Sequence, residues 1–176
     1  GEHNRKNATL VIEALRHMGV DAEELEIYQA INSFPGSGRR FEKLAENLYS
    51  DYGHHPVEIQ ATLQMAKELS DDVVLVYQPH QNVRQHEIID QYTNDIFHDA
   101  NEIYWLPTYL TRENPDLPTL TPQQLAKNID KEKVHFAELD DSLWQEITAA
   151  RNSGKLVLCM GAGTIDGWIR EQLAKN

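Results

Sequence analysis

The sequence has little cysteine, few basic residues and no long hydrophobic run. Its one cysteine, Cys159, has no disulfide partner within the chain, so we expect a reducing compartment and a cytoplasmic protein. Cys159 lies in an apolar segment, which favours packing in a core over a role as nucleophile. Apolar runs such as residues 156–160 are far shorter than the roughly 20 residues that a membrane-spanning helix needs. No N-terminal segment shows the pattern of a cleaved signal peptide, so no membrane partner is expected.

The shortage of basic residues bears on partners. The 176 residues include 28 acidic and 16 basic side chains, which gives a formal net charge of -12. Because a chain of this charge repels a phosphate backbone, nucleic acid is not expected as a partner. With 40% hydrophobic residues, the length supports one compact domain with a single core, over residues 1–176.

The first part of the chain predicts two helices and a loop. Residues 5–18 place apolar side chains four apart, at Leu10, Ala14 and Met18. This spacing indicates a helix with one face packed on the rest of the fold. Residues 23–32 predict a second helix, and the proline and glycine content of residues 34–38 then indicates a loop.

The rest of the chain alternates short apolar runs with amphipathic segments, which is the pattern of crossover units in a mostly parallel sheet. The strand candidates are residues 48–52, 73–78, 102–106, 134–137 and 155–160. Helices are expected from Pro56, through Ile88, Tyr92 and Ile96, from Pro122 after a Thr121 cap, after a cap at Asp140 or Asp141, and over residues 164–174. The pattern predicts a three-layer, Rossmann-like α/β domain, with a mostly parallel sheet of about six strands and helices on both faces.

Three loops that follow predicted strands combine unusual side chains. In a doubly wound sheet, ligands collect at the carboxyl ends of the strands, so these loops are the first candidates for a site. They are residues 51–56 (Asp-Tyr-Gly-His-His-Pro), 78–84 (Gln-Pro-His-Gln-Asn-Val-Arg) and 160–164 (Met-Gly-Ala-Gly-Thr). Residues 107–122 contain four prolines and no periodicity, which predicts a long surface loop that is a further candidate.

Each of these features also has an interpretation without function. The adjacent His54 and His55 can cap a helix or hydrogen-bond its backbone. A zinc site built from His54, His55 and His80 is conceivable, but no Cys or His pair has the spacing of a structural zinc site, and no metal site is predicted. Gly161 and Gly163 lack the crossover unit that should follow in a dinucleotide fingerprint, so close packing of helix on strand is the better interpretation.

Two neighbouring arginines, Arg39 and Arg40, precede the first predicted strand of an otherwise acidic chain. Guanidinium groups suit phosphate or carboxylate ligands, because their planar forks can donate two parallel hydrogen bonds. Without further context, a surface ion pair is the default interpretation.

Five segments, taken in order, resemble the motifs of one family. Residues 1–8 resemble G-x-H-N-x-x-N-A, residues 34–42 F-x-G-x-x-R-R-F-E, residues 51–56 D-Y-G-H-H-P, residues 78–84 Q-P-H-R-Y-S-R, and residues 160–165 M-G-A-G-x-I. These are motifs of the Mur ligases, the first of them at the junction of the central and C-terminal domains. The chain therefore resembles the C-terminal domain of a Mur ligase over nearly its whole length.

The resemblance implies part of an ATP-dependent ligase of peptidoglycan precursor synthesis, with roles in cell wall biogenesis, cell shape and cell division. Such ligases use ATP and Mg²⁺ to convert the carboxylate of UDP-N-acetylmuramate to an acyl phosphate, which an amine attacks. The N-terminal domain holds UDP, the central domain holds the ATP phosphates and metals, and the C-terminal, amino-acid-binding domain closes over both. The resemblance implies that both neighbouring domains are absent here. The domain alone is then expected to contain no catalytic residues, to bind no cofactor tightly and to be inactive.

The motif matches imply roles for six residues. Arg40 matches the arginine that reaches the nucleotide, and Asp51 matches the acidic residue near the nucleotide ribose. The positions that face the muramoyl carboxylate and the incoming amino acid are Tyr52, His54, His80 and Arg84. An arginine beside a phosphate can stabilise the charge that moves during transfer, and a cation beside a carboxylate can orient it.

The motif details also bear on the amino acid that is added. The form D-Y-G-H-H-P with Q-P-H resembles family members that add L-alanine. Members that recycle murein peptides, by joining a tripeptide to UDP-N-acetylmuramate, show Phe-Ala where this chain has Tyr52-Gly53, and they are the alternative. Gln81 replaces a family arginine, and Asn82-Val83 replaces Tyr-Ser. A module that binds a UDP-sugar peptide or a protein without chemistry is a further alternative.

Overall fold

The computed structural model describes residues 1–20 and 24–175. Helices and strands alternate along most of the chain, as the sequence predicts. In chain order the elements are α1 (Glu2–His17), α2 (Glu24–Asn32), β1 (Glu42–Ala45), β2 (Leu48–Asp51), α3 (Pro56–Lys67), β3 (Val73–Tyr77), α4 (Asn82–Ile88), β4 (Glu102–Trp105), α5 (Pro122–Leu125), β5 (Val134–Phe136), α6 (Asp141–Asn152), β6 (Leu156–Met160) and α7 (Ile165–Lys175).

The described strands form one six-stranded sheet in the order β1-β2-β6-β3-β4-β5. All neighbouring pairs are parallel except β1 with β2, which form an antiparallel hairpin at one edge. The last strand, β6, lies between β2 and β3, and its Met160 is in register with both Asp51 and Tyr77. The mostly parallel, three-layer α/β prediction is confirmed.

The sheet is buried on both faces because its central strands are apolar throughout. Alternate residues point to opposite faces. Leu75 and Leu158 belong to a core cluster with residues of α3 and α4, whereas Val76 and Cys159 belong to a second cluster with residues of α6 and α7. Burial raises the pKa of the Cys159 thiol well above its usual range. Cys159 is therefore a core residue, as expected.

Two helix starts follow from capping. Thr121 accepts a hydrogen bond from Gln124 N at 3.2 Å, with Pro122 as the first helical residue. Asp140 accepts one from Leu143 N at 2.9 Å. Both caps satisfy an amide that the helix itself leaves unpaired. The predicted starts of α5 and α6 are confirmed.

The sequence-based expectation was wrong at two places in the body of the fold. Strand β1 had not been predicted, since its four residues are only partly buried at the edge of the sheet. The helix expected through Ile88, Tyr92 and Ile96 ends at Ile88 and continues only as a single 3₁₀ turn, Ile89–Gln91. Ile88 and Tyr92 are nevertheless buried, so the apolar spacing reported burial correctly and helix length incorrectly.

The first helix also differs from the expectation. Leu10 is 68% exposed and Met18 77% exposed, and Ala14 is exposed as well, so the predicted inward face is wrong. The helix instead contacts α3 through its first turns: Asn4 Nδ2 donates to Met65 Sδ at 3.4 Å, and Arg5 binds Glu68. Helix α2 occupies most of the predicted residues 23–32, although Glu23 lies outside the described residues.

No helix in the described ranges is long and apolar enough to cross a membrane.

Candidate functional site

The carboxyl ends of β2, β6 and β3 lie side by side. The Gly161 amide donates to the Asp51 carbonyl at 3.0 Å, and the Gln78 amide donates to the Met160 carbonyl at 2.9 Å. These bonds bring the three loops of unusual composition to one edge of the sheet. We call the surface formed by residues 39–40, 51–54, 78–84 and 109–113 the strand-end rim.

Two glycines allow the loops to approach closely. A Cβ atom at Gly161 would lie 2.6 Å from the Gln78 carbonyl oxygen, and one at Gly163 would lie 2.6 Å from Tyr109 Cβ. Gln78 also donates to Thr164 Oγ1 and accepts from the Ile165 amide, both at 3.1 Å, which fixes the start of α7. The glycines are therefore close-packing residues, although they pack against the loops that carry Gln78 and Tyr109 and not, as expected, at a contact of helix on strand.

The neighbouring arginines have different surroundings. Arg39 donates to the Gly161 carbonyl at 3.1 Å, lies 3.6 Å from an Asp166 carboxylate oxygen, and stacks over Tyr52 at 4.6 Å from the ring centroid. Arg40 is exposed and lies 5.5 Å from the same ring. Within the described ranges, no hydrogen bond or ion pair engages the Arg40 guanidinium. Arg39 is thus held by the fold, and Arg40 is available for a ligand.

Asp51 is fixed by the backbone around it. Its Oδ2 accepts from the Phe41 amide and its Oδ1 from the Gly53 amide, both at 2.7 Å, and the residue is 6% exposed. Burial raises the pKa of Asp51, and the two amide hydrogen bonds only partly oppose that effect. The carboxylate therefore orders the turn that carries Tyr52 and His54.

The two adjacent histidines divide between capping and the rim. His55 is the N-cap of α3, although its bond from the Val57 amide is long at 3.5 Å, and Glu58 accepts from both the His54 and His55 amides. His54 instead places Nδ1 3.2 Å from the Tyr52 carbonyl. Because that oxygen can only accept, Nδ1 carries the hydrogen, and in the neutral ring Nε2 is left as an acceptor.

Four aromatic rings form a continuous row along the rim. Ring centroids are 5.8 Å apart for Tyr52 and His54, 5.3 Å for His54 and His80, and 5.7 Å for His80 and Tyr109, the last pair being stacked. Burial lowers the pKa of His80, and the nearby charges of His54 and Arg84 lower it further. The His80 Nδ1 atom is buried without a hydrogen-bond partner among the described residues. Burial and the nearby cations therefore favour the neutral form of the His80 ring.

Arg84 and Gln81 lie at the start of α4. The Arg84 Nε atom is buried and unpartnered in the described part of the chain. Gln81 has a left-handed backbone (φ 61°) and no capping side-chain bond. A non-glycine residue in this conformation costs about 1–3 kcal/mol and is found most often at functional sites. The other left-handed residues of the rim, Arg39 and Arg112, have φ 56° and 55°.

The long loop after β4 closes the rim on one side. Glu113 accepts from the amides of Thr111, Asn82 and Val83, at 2.8, 3.0 and 3.2 Å. Asn82, only 2% exposed, donates to the Pro118 carbonyl and accepts from the Leu120 amide. We call this set of bonds the loop latch. The sequence had indicated the loop of residues 107–122 as a candidate, but not Tyr109, Arg112 or Glu113 individually, because their contacts depend on how the loop folds back.

The described residues line two open cavities, one of which reaches the rim. A groove of about 1220 Å³ runs between α1, α2 and α3 and reaches Arg40 and Asp51 at one end. Its walls include the apolar Val11, Ile27 and Phe34. A second cavity of about 810 Å³ lies beside β4 and β5, near Tyr104, His135 and Glu146, and contains none of the six predicted site residues.

All six predicted residues thus map to one end of the sheet. Tyr52, His54 and His80 are in direct ring contact, Arg40 lies over Tyr52, and Asp51 and Arg84 flank the row. In residues 1–20 and 24–175, no group of three His, Cys, Asp or Glu side chains could hold a metal ion. The three histidines of the zinc hypothesis do not form such a group.

Sequence comparisons identify relatives of the chain. The family "Mur ligase, glutamate ligase domain" matches residues 39–163. A UDP-N-acetylmuramate–L-alanine ligase of Jannaschia sp. (strain CCS1) is 34% identical over 175 residues, covering 96% of this chain and 36% of that protein. The same enzyme of Agrobacterium fabrum is 33% identical, with coverage of 96% and 36%. The chain therefore spans little more than a third of the length of these relatives.

Solved structures share the fold. A murein peptide ligase of Psychrobacter arcticus 273-4 superposes with a TM-score of 0.59 at 24% identity, covering 99% of this chain and 37% of that chain. A folylpolyglutamate synthase of Mycobacterium tuberculosis, complexed with ADP and AMPPCP, gives 0.62 at 14% identity, with coverage of 100% and 41%. At these identities the likeness concerns the architecture of the chain.

Proposed function

The chain belongs to the Mur ligase family, and on that basis we propose that it is the C-terminal domain of an ATP-dependent ligase joining L-alanine to UDP-N-acetylmuramate. The observation that carries the proposal is the convergence of Arg40, Tyr52, His54, His80 and Arg84 on one open rim. In the fold class of this sheet, substrates bind at that end.

The proposed reaction has two steps. A carboxylate oxygen of UDP-N-acetylmuramate attacks the γ-phosphorus of ATP, ADP leaves, and an acyl phosphate forms. The amine nitrogen of L-alanine then attacks the acyl carbon, phosphate leaves, and the nitrogen gives up a proton. Both steps move negative charge between phosphate and carboxylate oxygens, so cations that are not already paired within the protein are the residues best able to assist.

Arg40 is the candidate for the phosphate oxygens. Its guanidinium is exposed and unpaired among the described residues, whereas Arg39 is committed to Gly161 and Asp166. The Tyr52 ring contacts the guanidinium groups of both arginines through cation–π interactions. Asp51 lies beside them and is proposed to approach the ribose. This half of the rim would hold the nucleotide.

The other half of the rim, with His80 and Arg84, suits the muramoyl carboxylate and the carboxylate of the incoming amino acid. Arg84 would orient the carboxylate of the amino acid. His80, whose pKa is lowered by burial and by neighbouring cations, presents a neutral ring that can accept a hydrogen bond from the incoming amine. His54 lies between this half and Tyr52, with Nε2 available as an acceptor. Orientation of both reactants can contribute several kcal/mol to the rate.

Magnesium does not fit this part of the chain. The described residues offer no cluster of three possible ligands, so we assign Mg²⁺ and the phosphate-binding loop to the central domain of the proposed enzyme. No step is assigned here to a metal-bound group.

The turn at Gly53 favours L-alanine addition over peptide recycling. A Cβ atom at Gly53 would lie 2.9 Å from Asp51 Oδ1 and 3.2 Å from Glu58 Cβ. The Phe-Ala form of the recycling enzymes would therefore require a different path for this turn. Tyr52 in place of phenylalanine also adds a hydroxyl at the rim.

The groove beside α1 and α2 is a candidate surface for contact with a partner domain. Leu10, Val11 and Phe34 are 68, 51 and 66% exposed, although they are large and apolar. We propose that the central domain covers this surface in the complete enzyme, which we place in the cytoplasm, where its UDP-linked substrate would be.

The test compares the chain alone with the same chain joined to the N-terminal and central domains of the Jannaschia relative. Amide formation from UDP-N-acetylmuramate, L-alanine and ATP is followed by release of ADP. We expect no turnover by the chain alone and measurable turnover by the joined chain. In the joined chain, Arg40→Gln should lower kcat by roughly 100-fold or more, as loss of a group that stabilises transferring charge does.

The matched control is Arg151→Gln, which removes an arginine at the opposite end of the sheet and should leave kcat unchanged. Turnover by the isolated chain, or an inactive but folded joined chain that still binds UDP-N-acetylmuramate, would overturn the proposal. Tight binding of the UDP-sugar by the isolated chain would instead identify a binding module.

A further inference from the structure

The amino-acid half of the rim has an uncharged residue where the family motif has arginine. Gln81 occupies that position. Its backbone N–H donates to the Tyr109 carbonyl at 2.9 Å, and its backbone is left-handed. A neutral amide side chain binds a carboxylate less strongly than a guanidinium does. Arg84 would then be the one cation of α4 available to the amino-acid carboxylate.

The loop latch brings another arginine to the same place. Tyr109 exchanges backbone bonds with both Pro79 and Gln81, at 2.8 and 2.9 Å. Four residues later, Glu113 is bound to the first amides of α4. Because the loop is fixed at both points, Arg112 lies beside the first turn of α4, which also carries Arg84.

Arg112 has the properties of a ligand-binding residue. It is exposed, its backbone is left-handed (φ 55°), and the structure shows no hydrogen bond or ion pair to its guanidinium within the described ranges. Its charge and that of Arg84 both lower the pKa of the His80 imidazole, which places both cations near that ring. The adjacent Glu113 carries a charge that acts in the opposite direction on His80, but its oxygens accept three backbone amides and form no ion pair with the Arg112 guanidinium among the described residues.

Unpaired arginines are otherwise scarce in this acidic chain. Arg5, Arg39 and Arg170 all form ion pairs with carboxylates. Apart from Arg40, Arg84 and Arg112 at the rim, Arg151 is the arginine without such a partner in the described part of the chain, and its carbonyl accepts from Asn47 just before β2, at the opposite end of the sheet.

We propose that Arg112, from the long loop, and Arg84, from α4, together bind the carboxylate of the incoming amino acid, with Arg112 supplying the guanidinium that Gln81 does not. The assignment rests on the proposed ligase function, because that function supplies the amino-acid ligand. It makes Arg112 a specificity-determining residue and gives the loop latch a purpose, namely to hold Arg112 at the rim.

The test follows the side-chain Nε–H resonances of the arginines by NMR in the 176-residue chain. L-alanine is titrated, and L-alaninamide, which lacks the carboxylate, is the matched probe. We expect the Arg84 and Arg112 resonances to shift together with L-alanine and to stay still with L-alaninamide. Arg112→Gln should weaken the response of Arg84 by roughly tenfold in apparent Kd, as loss of a hydrogen bond to a charged group does. Gln81→Arg in that variant should restore it, and Arg151→Gln should have no effect.

Several outcomes would overturn the assignment: an Arg112 resonance that stays still while that of Arg84 shifts, an Arg112→Gln variant that titrates like the wild type, or no arginine response at any attainable L-alanine concentration. Activity separates this failure from failure of the ligase proposal. If the joined chain forms the amide and its Arg112→Gln variant keeps the wild-type KM for L-alanine, only the proposed role of Arg112 is wrong. If the joined chain is inactive but the Arg84 and Arg112 resonances still respond to L-alanine, the ligase proposal is wrong and the carboxylate site is supported.

Discussion

The α/β body, residues 39–175, and the N-terminal helix pair, α1 and α2, use their apolar side chains differently. Every residue of β3 and β6 is buried, whereas Leu10 and Met18 of the α1 segment are 68 and 77% exposed. The family match begins at residue 39, at the start of the body. The body thus completes its own core, whereas α1 contacts α3 mainly through its first turns and leaves the apolar side chains Leu10 and Met18 uncovered in the described part of the chain.

Replacing one leucine in each region should have very different effects on stability. Leu158→Ala, in the central strand, should lower the free energy of unfolding by about 2–5 kcal/mol, because it leaves a cavity in a packed core. Leu10→Ala should change it by less than about 0.5 kcal/mol. Urea unfolding followed by circular dichroism measures both. Equal losses would show that α1 packs as tightly as the sheet, and the contrast would fail.

Side-chain packing around two glycines of the body should differ. Gly163→Ala should cost about 1–3 kcal/mol, because its new methyl group would collide with Tyr109. The control, Gly167→Ala, lies in α7 with nothing within 4 Å of the new atom, and it should stabilise the chain by up to about 1 kcal/mol. Thermal unfolding of the two variants checks the difference. A neutral Gly163→Ala would mean that the long loop does not lie against the final turn.

The third and smallest prediction compares one glutamate from each region. Glu113→Gln should cost about 1 kcal/mol at neutral pH, because three backbone amides lose a charged acceptor. Glu13→Gln, which removes an exposed ion pair with Arg16, should cost less than about 0.5 kcal/mol. Urea unfolding at neutral pH tests the ranking.

The Glu113 effect also depends on pH. Burial acts to raise the pKa of Glu113, but the three amide hydrogen bonds outweigh it and the pKa is lowered. A carboxyl group with a lowered folded-state pKa stabilises the fold above its unfolded pKa of about 4.3, and that stabilisation is lost as pH falls through the folded value. The wild type and Glu113→Gln should therefore converge in stability in acid. A difference that is independent of pH would rule out an ionised Glu113 in the loop latch.

Much of the body could be predicted because its signals are local. Alternating apolar runs, a proline at the start of α3 and the caps Thr121 and Asp140 are properties of short segments, and they determine elements that the structure reproduces. The convergence of the loops at one end also follows from parallel strands, whose carboxyl ends meet at one edge of the sheet. The placement of Asp51, Tyr52, His54, His80 and Arg84 at one end could therefore be expected. Arg40 precedes a strand and reaches the same end only because the unpredicted β1 runs antiparallel to β2. The roles of all six residues are a proposal.

The features that could not be predicted depend on contacts between distant segments. Glu113 binds amides about 30 residues earlier in the chain, and Tyr109 stacks on His80. The division of labour between Arg39 and Arg40 depends on Asp166, which lies near the other end of the sequence. Exposure of Leu10 and Met18 was missed for a different reason, since a helical spacing shows that a face is apolar without showing what covers it.

The pKa of His80 gives the most direct test of the central claim, that the strand-end residues form one site. His80 is titrated by NMR in the wild type, in His54→Gln and in a control, His98→Gln, whose ring is exposed. The wild-type pKa should lie below the ordinary histidine value of about 6.5, and removal of His54 should move it upward, because the His54 charge disfavours protonation of His80. The control should leave it unchanged. An ordinary His80 pKa that does not respond to His54→Gln would show that the two loops do not meet and that the strand-end residues do not form one site.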